Sequence, residues 1–343
     1  MQKNIKVAIV GVTGLVGKSF LKVLEEYKLP INEYKLFASK KNDGKFIKFM
    51  NKDYKINELT INSFDENFDY ALFSAGSSVS KKFAKIAANK KCIVIDNSSF
   101  WRMDQNVPLI VPQVNAQDIK NHNYIISNPN CSTIQAVVPI FAIHKKYKVK
   151  RIIYSTYQAV SGAGKAGYND LENGIYSYIN NTKYQLKKFT YPIFNNCIPQ
   201  IDSFLENGYT KEEQKMIDET RKILNEPLLP ITATTVRVPV FNSHSESINI
   251  ELSKEFEIDD IKSTLKHYDG IIVEDDPKGN KYPMAINCSG KNEIYVGRIR
   301  RDYSVENGLN LWVVADNIRK GAATNAIEIL SYLITGNYKK TLQ

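Results

Sequence analysis

The stretch SNPNCSTIQA (127–136) sets a thiol, Cys131, at a joint. Turn formers Ser127, Asn128, Pro129 and Asn130 precede it, and an apolar run through Ile134, Ala136, Val137 and Val138 follows. A cysteine that only packs belongs inside the apolar run, where it behaves as a small hydrophobe. A thiolate instead gains at a helix N-terminus, from backbone N–H groups that no helical carbonyl satisfies. The Asn-Pro-Asn approach and the helix behind it therefore mark Cys131 as a candidate nucleophile rather than a half-buried packing residue. Such a nucleophile needs a proton-transfer partner, and the histidines are His122, His144, His244 and His267. His144, in IHKKYK, falls at a helix end and reads as a surface residue. His122 and His267 lie in polar loops. His244 lies in FNSHSES, a small-residue link between two strong strands, and a loop carried by rigid strands is a good mount for an imidazole.

Other residues suit anions. In SSFWRM (98–103), Arg102 stands just past a strand's C-terminal end, where ligands bind in parallel sheets, and a guanidinium suits phosphate or carboxylate. GVTGLVG places Gly11, Gly14 and Gly17 after a strand and at the opening of a helix. That setting favours a dinucleotide pyrophosphate on the helix N-terminus. The spacing is not the usual G-x-G-x-x-G, and a purely structural turn is the alternative. The second strand ends in ASKKNDGK, with no acid to hold a ribose 2′-hydroxyl. Ser39, Lys40 and Lys41 suit a 2′-phosphate, hence NADP rather than NAD, with a solvated lysine pair as the plainer reading. STYQAVSGAGKAG (155–167) ends a strand in a glycine-rich loop. It lacks P-loop spacing, and close approach to a flat ligand and an ordinary loop both fit it.

The elements that would carry these residues alternate at first. IKVAIVG (5–11), YKLFAS (34–39), DYALFSAG (69–76) and CIVIDNSS (92–99) read as strands, with helical spacing over 14–29 and 81–91. That order implies a parallel sheet covered on both faces. After residue 148 the pattern changes to long β-branched runs at 149–160, 232–241 and 246–253, and to a hairpin of 293–303 with 309–317 around Glu306, Asn307 and Gly308. This is an α+β signature and a second domain. IRKGAATNAIEILSYLITG (318–336) reads as a final helix, while 165–197, rich in Asn, Tyr and Lys, shows no clear elements.

Composition narrows the classes. A chain of 343 residues suits two domains or one large one. The formal net charge of +10 is spread along the chain, with no basic block and no zinc-finger or RNP1 pattern. It reads as solvated surface with some attraction for small anions. Cys92, Cys131, Cys197 and Cys288 form no C-x-x-C pair, which argues against a disulfide framework or a metal site. No signal peptide and no bilayer-length apolar run are visible, so a cytoplasmic protein without a membrane is expected.

In order, the motifs GVTGLVG, LFSAG, VIDNSS, VPQVN, NPNCSTIQ, STYQAVSGAG, IPQID, KEEQKMIDET, RVPVFNSHSES and DNIRKGAA resemble those of aspartate-semialdehyde dehydrogenases, over essentially the whole chain. The resemblance implies an α/β protein: a Rossmann-type parallel-sheet NADP-binding domain over 1–130 and an α+β catalytic and dimerisation domain over 131–317. Segment 318–343 would pack back on the first domain. It implies reversible reduction of L-aspartyl 4-phosphate by NADPH to L-aspartate 4-semialdehyde with release of phosphate, in lysine (diaminopimelate), threonine and methionine biosynthesis. The family forms homodimers or dimers of dimers.

Residue by residue, Cys131 matches the nucleophile that forms an acyl-thioester, Asn130 its oxyanion and positioning partner, and His244 the acid/base. Gln158 matches the residue that helps hold the acyl group. Arg237 and Glu212 match the contacts to the substrate carboxylate and amino group, and Arg102 and Lys215 the phosphate site. Gly11, Thr13, Gly14, Leu15, Val16, Ser39, Lys41, Asn42, Ser161, Gly162 and Asn317 match cofactor contacts. There are departures. SSFWRM stands where SSAFRM is usual, so that Trp101 is expected to reshape the phosphate pocket. Thr235 stands where a cysteine is usual, two residues before the arginine. Lysine replaces arginine in the cofactor loop, which weakens the expected NADP preference. A reductase of another acyl phosphate, such as N-acetylglutamyl phosphate, would share cysteine and histidine, but an acetylated nitrogen needs no carboxylate like Glu212. Retention of the nucleophile, the base and the phosphate cations argues against a non-catalytic NADP sensor.

Overall fold

Every residue of VAIV is apolar, and such a run is stable as a strand only where both of its faces are covered. It forms β1 (Lys6–Val10), fully buried from Val7 onward. There follow α1 (Leu15–Tyr27), β2 (Glu33–Ala38), β3 (Phe46–Phe49), β4 (Lys52–Glu58), β5 (Tyr70–Phe73), α2 (Ser77–Asn89), β6 (Ile93–Asp96), the short α3 (Pro112–Asn115) and β7 (Ile125–Ser127). This computed structural model describes residues 4–339. The strands lie in the order β3-β4-β2-β1-β5-β6-β7. All neighbours are parallel except β3 and β4. The β3–β4 hairpin and β7 are absent from the reading above, being short or rich in lysine. Alternate β1 side chains face opposite layers. Val7 and Ile9 pack with Phe20 and Leu24 of α1, whereas Ala8 and Val10 pack with Ala84 and Ala87 of α2.

The next stretch builds a second sheet. Its elements are α4 (Cys131–Tyr147), β8 (Val149–Gln158), α5 (Gly164–Ile179), α6 (Lys211–Leu224), β9 (Ile231–Arg237), β10 (His244–Leu252), α7 (Ile258–Lys266), β11 (Ile271–Val273), α8 (Ala285–Cys288), β12 (Ile294–Asp302) and β13 (Gly308–Ala315). The order is β11-β12-β13-β10-β8-β9. Strands β9 and β10, adjacent in sequence, do not pair with each other. β8 lies between them, parallel to β9 and antiparallel to β10. α5 occupies the front of the stretch whose elements the sequence left open.

The expected final helix is split. Residues Arg319–Thr324 wind as a wider π-helix, and α9 (Asn325–Thr335) follows, ended by Gly336 at φ +74°. Residues 340–343 of the expected packing segment lie outside the described residues. The chain divides into two compact units. One consists of the chain up to Asn130 with the residues from Ala322 onward; the other is Cys131–Gly321. In the first, Ile327 and Leu330 of α9 join the α1 layer.

Candidate active site

The second sheet brings distant residues level by register. Gln158 at the end of β8 pairs with Arg237 at the end of β9. Ser245 pairs with Tyr157, so His244, one residue further out, is level with Gln158. Side chains two apart on a strand share a face. His244, Gln158 and Arg237 therefore form one row, and Glu246, Thr156 and Thr235 form the row beneath it. Beneath those, Ile248, Tyr154 and Ala233 are apolar or aromatic core. Helices α4 and α6 meet this face. Gln135 of α4 donates to the His244 carbonyl (3.2 Å), and Tyr154 bonds Thr220 of α6 (3.1 Å).

Cys131 is the first residue of α4, where the turn in NPNC gives way to helix, and it is only partly buried. Gly321, within the π-helix, lies directly against it. A Cβ at Gly321 would stand 2.8 Å from the Cys131 Cβ. Gly162 does similar service for the row. A Cβ there would be 2.9 Å from Nη1 of Arg237 and 3.2 Å from Nε2 of His244. Arg237 is 5% exposed, and its Nη1 donates to the Ala159 carbonyl at 2.6 Å. Burial pulls its pKa down, while Glu212 and Cys131 act to hold it up, so the thiol is within electrostatic reach of the guanidinium. His244 is wholly buried. Its Nδ1 accepts from the Ala159 N–H at 2.9 Å, and its Nε2 has no partner. Burial holds the imidazole well below its ordinary pKa, and Arg237 pushes the same way.

A capping box explains the position of Glu212. In TKEE, the Thr210 side chain accepts from the Glu213 N–H, and Glu213 accepts from the Thr210 N–H at 2.7 Å. The other Glu213 oxygen accepts from the Thr235 N–H at 2.9 Å, which pins the first turn of α6 to β9. Glu212, in that turn, then meets Gln158 Nε2 at 3.2 Å and Lys215 Nζ at 3.2 Å. Lys215 also pairs with Asp202 at 2.9 Å. Gln158 is completed by Thr156, whose hydroxyl donates to it at 3.0 Å. Ser161 and Asn317 bond each other, and Asn317 also accepts from the Ser243 N–H at 3.0 Å.

In the first unit the glycines have distinct jobs. Gly11 has φ +86°, and a side chain there would strike the Ser74 backbone. At Gly17 a Cβ would strike the Gly11 carbonyl, so this glycine lets α1 close on the turn. Thr13 and Gly14 are exposed, and Gly14 caps α1 without any side-chain bond to its first N–H groups. Leu15 and Val16, in the first turn, are half-buried. Ser39 and Lys41 are exposed and Asn42 half-exposed beyond the end of β2. Arg102 is 7% exposed, with Nε on the Asn128 carbonyl and Nη2 on the Asn97 carbonyl, both at 3.0 Å. Asn128 in turn bonds Asn97 (2.7 Å) and Asn325 (2.7 Å), which holds the turn leading to the buried Asn130.

The second sheet thus gathers Cys131, Gln158, Gly162, Glu212, Lys215, Arg237 and His244, which the sequence scatters over more than a hundred residues. One expectation needs correction. His144 is not on the surface: it is 6% exposed, its Nδ1 accepts from the Val149 N–H, and its Nε2 lies 3.3 Å from Glu226. The helix end there turns straight into β8, which covers the ring. Trp101 turns inward, its Nε1 donating to Ser80 at 3.0 Å within the α2 layer. Three participants carried no expectation: Glu246, Gly321 and the Asn97–Asn128–Asn325 network. Glu246 had a signal, because in HSESINIEL it shares its phase with Ile248 and Ile250. Among the described residues, no group of His, Cys, Asp or Glu side chains is arranged to hold a metal ion.

A parallel sheet with a glycine turn at a helix N-terminus, joined in one chain to a mixed sheet that carries a histidine and an arginine and is met by a helix beginning at a cysteine, fits a dinucleotide-binding oxidoreductase. The family model for the semialdehyde dehydrogenase NAD binding domain matches residues 6–122, and that for the dimerisation domain matches 140–320. Aspartate-semialdehyde dehydrogenase of Aquifex aeolicus is 49% identical over 96% of this chain and 98% of its own length. That of Bacillus subtilis is 44% identical over 97% and 98%. The crystal structure of aspartate semialdehyde dehydrogenase II from Vibrio cholerae, complexed with ASA, superposes with a TM-score of 0.94 at 42% identity, covering 97% of this chain and 98% of that one. The chain belongs to the aspartate-semialdehyde dehydrogenase family.

Proposed function

We propose that this protein reduces L-aspartyl 4-phosphate to L-aspartate 4-semialdehyde, reversibly, through an acyl-thioester on Cys131, and prefers NADPH. The observation that carries the reading is the row of His244, Gln158 and Arg237, within electrostatic reach of Cys131 and kept open by Gly162. An acyl phosphate is a reactive electrophile with an anionic leaving group. Cys131 attacks its carbonyl carbon, and Arg102 and Lys215 neutralise the departing phosphate. Asn130 and Gln158 orient the acyl group, while Arg237 binds the α-carboxylate and Glu212 the amino group. His244 handles the proton chemistry at the reacting oxygen.

The glycine turn suits a dinucleotide, because Gly14 leaves the α1 N–H groups uncapped and nothing crowds it closer than the Gly11 carbonyl at 3.5 Å. Gly11, Thr13, Gly14, Leu15 and Val16 would hold the pyrophosphate. Ser39, Lys41 and Asn42 would hold the 2′-phosphate, and Ser161, Gly162 and Asn317 the nicotinamide end. When bound, the nicotinamide supplies the hydride. The same reading carries a homodimer, a cytoplasmic setting, and a place in lysine (diaminopimelate), threonine and methionine biosynthesis. The test is phosphate-dependent production of NADPH from aspartate semialdehyde, with N-acetylglutamate semialdehyde and NAD as controls. Turnover without added phosphate, or preference for the N-acetylated substrate, overturns the proposal.

A further inference from the structure

The segment Arg319–Thr324 is wound more widely than the α9 helix that follows it. The Gly321 N–H donates to the Asp316 carbonyl at 3.0 Å, a span of five residues where an α-helix uses four. Asp316 also fixes the approach to this turn. One of its carboxylate oxygens accepts from the Ile318 and Arg319 N–H groups at 2.8 and 2.9 Å, and the other from the Gly290 N–H at 2.7 Å. The widened turn meets Cys131. A Cβ at Gly321 would stand 2.8 Å from the Cys131 Cβ, 3.1 Å from its Cα and 3.2 Å from its carbonyl oxygen. Outside its own turn, the three nearest atoms thus all belong to Cys131. Glycine is required here by the close approach of two backbones. Lys320, the residue before it, is wholly buried, and Asp316 pins the turn, so this side has little room to withdraw. Cys131, which is only partly buried, is the side that can give.

We infer that Gly321 is a positioning residue for the nucleophile: having no side chain, it seats the π-helical turn on Cys131 and fixes where the sulfur stands at the start of α4. The inference rests on the thioester reading and deepens it. The backbone places a Cβ, so no rotation of the thiol about its Cα–Cβ bond relieves a clash with that atom. A methyl group at position 321 must therefore move the Cys131 backbone, and the sulfur moves with it. Ordinary contact between such atoms begins at 3.4 Å. The displacement is thus roughly half an ångström, on a scale where about 1 Å costs about a hundredfold in rate. The groups proposed to bind substrate are mounted elsewhere: Gln158 on β8, Glu212 on α6 and Arg237 on β9. The added methyl is aimed at the attacking atom and leaves the binding groups in place.

Gly321→Ala separates positioning from binding. In phosphate-dependent oxidation of aspartate semialdehyde, kcat is expected to fall about tenfold or more, while KM for phosphate, KM for the aldehyde and Kd for NADPH each change less than about twofold. An unchanged kcat, or binding lost in step with kcat, overturns the inference. The contact itself is read without substrate, from a double-mutant cycle in thermal unfolding. Gly321→Ala is made in the wild type and in Cys131→Gly, which lacks the Cβ that the new methyl would strike. The fall in Tm caused by Gly321→Ala is expected to shrink by about half or more in the second background. A fall as large in both backgrounds, failure of both to fold included, overturns the inference. A wild type inert toward aspartate semialdehyde and phosphate would instead overturn the proposed reaction and leave the cycle's reading of the contact standing.

Discussion

The two sheets mount chemistry in opposite ways. In the parallel sheet, the candidate residues stand on loops past strand ends: Thr13 after β1, Lys41 after β2 and Arg102 after β6. In the mixed sheet they are strand residues themselves, with His244, Gln158 and Arg237 abreast on one buried face. A loop residue in solvent acts nearly alone, because water screens its charge. A buried row is coupled, because each member sets the field felt by the next in a medium of low dielectric. Losses in the mixed sheet are thus expected to be large and interdependent, and losses at exposed loop positions small and separable.

Cys131→Ala, at the edge of the buried row, is the severest test. It removes the atom proposed to form the thioester and is expected to abolish turnover, whereas substitutions at Cys92, Cys197 or Cys288 leave most of it. Mass spectrometry of enzyme mixed with the acyl phosphate and no cofactor should find the adduct on Cys131; a fully active alanine variant refutes the assignment. His244→Asn is expected to lower kcat by on the order of a hundredfold, with less effect on KM. A near-normal kcat across the pH range would remove His244 from the chemistry.

Arg237→Ala comes next. Losing one charge-assisted contact costs about 1.5–3 kcal/mol, or roughly tenfold to a hundredfold. The change is expected in KM for aspartate semialdehyde, sparing that for phosphate, while Arg102→Ala does the reverse. Arg237→Lys stays impaired, because an ammonium cannot copy the bidentate fork. Arg102 blurs the comparison of the two sheets, since it is a loop residue that is buried, with two backbone carbonyls on its guanidinium. Its alanine variant is therefore expected to lose stability as well as phosphate affinity. If both arginine variants raised both constants alike, a diffuse field would explain the site better than two contacts.

What the sequence disclosed follows the same divide. A loop-borne site is local: GVTGLVG and NPNC announce their turn and helix within a few residues, because glycine, proline and asparagine act on their own backbone. A strand-borne site depends on register between segments far apart. Nothing near His244 says that Gln158 lies level with it, or that β8 separates β9 from β10. Only the motif resemblance pointed to Gln158 and Arg237. Glu246 was passed over although the alternation in HSESINIEL aims it inward. Gly321 was passed over because its reason for being glycine is Cys131, nearly two hundred residues earlier. His144 was misjudged because neighbouring lysines suggested solvent, while β8 folds back over the ring.

Glu246 offers a subtler probe of the buried row. Both its carboxylate oxygens lack partners, and burial, with Glu212 nearby, lifts its pKa well above the ordinary 4.5. An ionised carboxylate there would be costly, so the neutral acid is the folded form. The folded chain then binds a proton that the unfolded chain has released. Its contribution to stability is full below the unfolded value and is lost as pH rises toward the folded one. Glu246→Gln cannot ionise and should escape this loss, so its Tm advantage over the wild type should widen as pH rises above the ordinary glutamate range. A gap that stays constant with pH would mean that Glu246 is ionised and paired.

Lys41→Ala should give the smallest effect and tests the other half of the comparison. Lys41 is exposed beyond β2, with water on most sides. Ion pairs in that setting contribute about 0.2–1 kcal/mol, so KM for NADPH is expected to rise only about two- to fivefold. KM for NADH, which lacks the 2′-phosphate, should barely move. The effect should also fade in added salt, because screening weakens an exposed pair far more than a buried one. Arg237→Ala under the same salt series should keep nearly its whole defect. Equal changes for both cofactors would make the lysines solvated surface. A Lys41 defect as large and salt-resistant as that of Arg237 would instead mean that the cofactor loop closes over its ligand and becomes, on binding, as buried as the strand row.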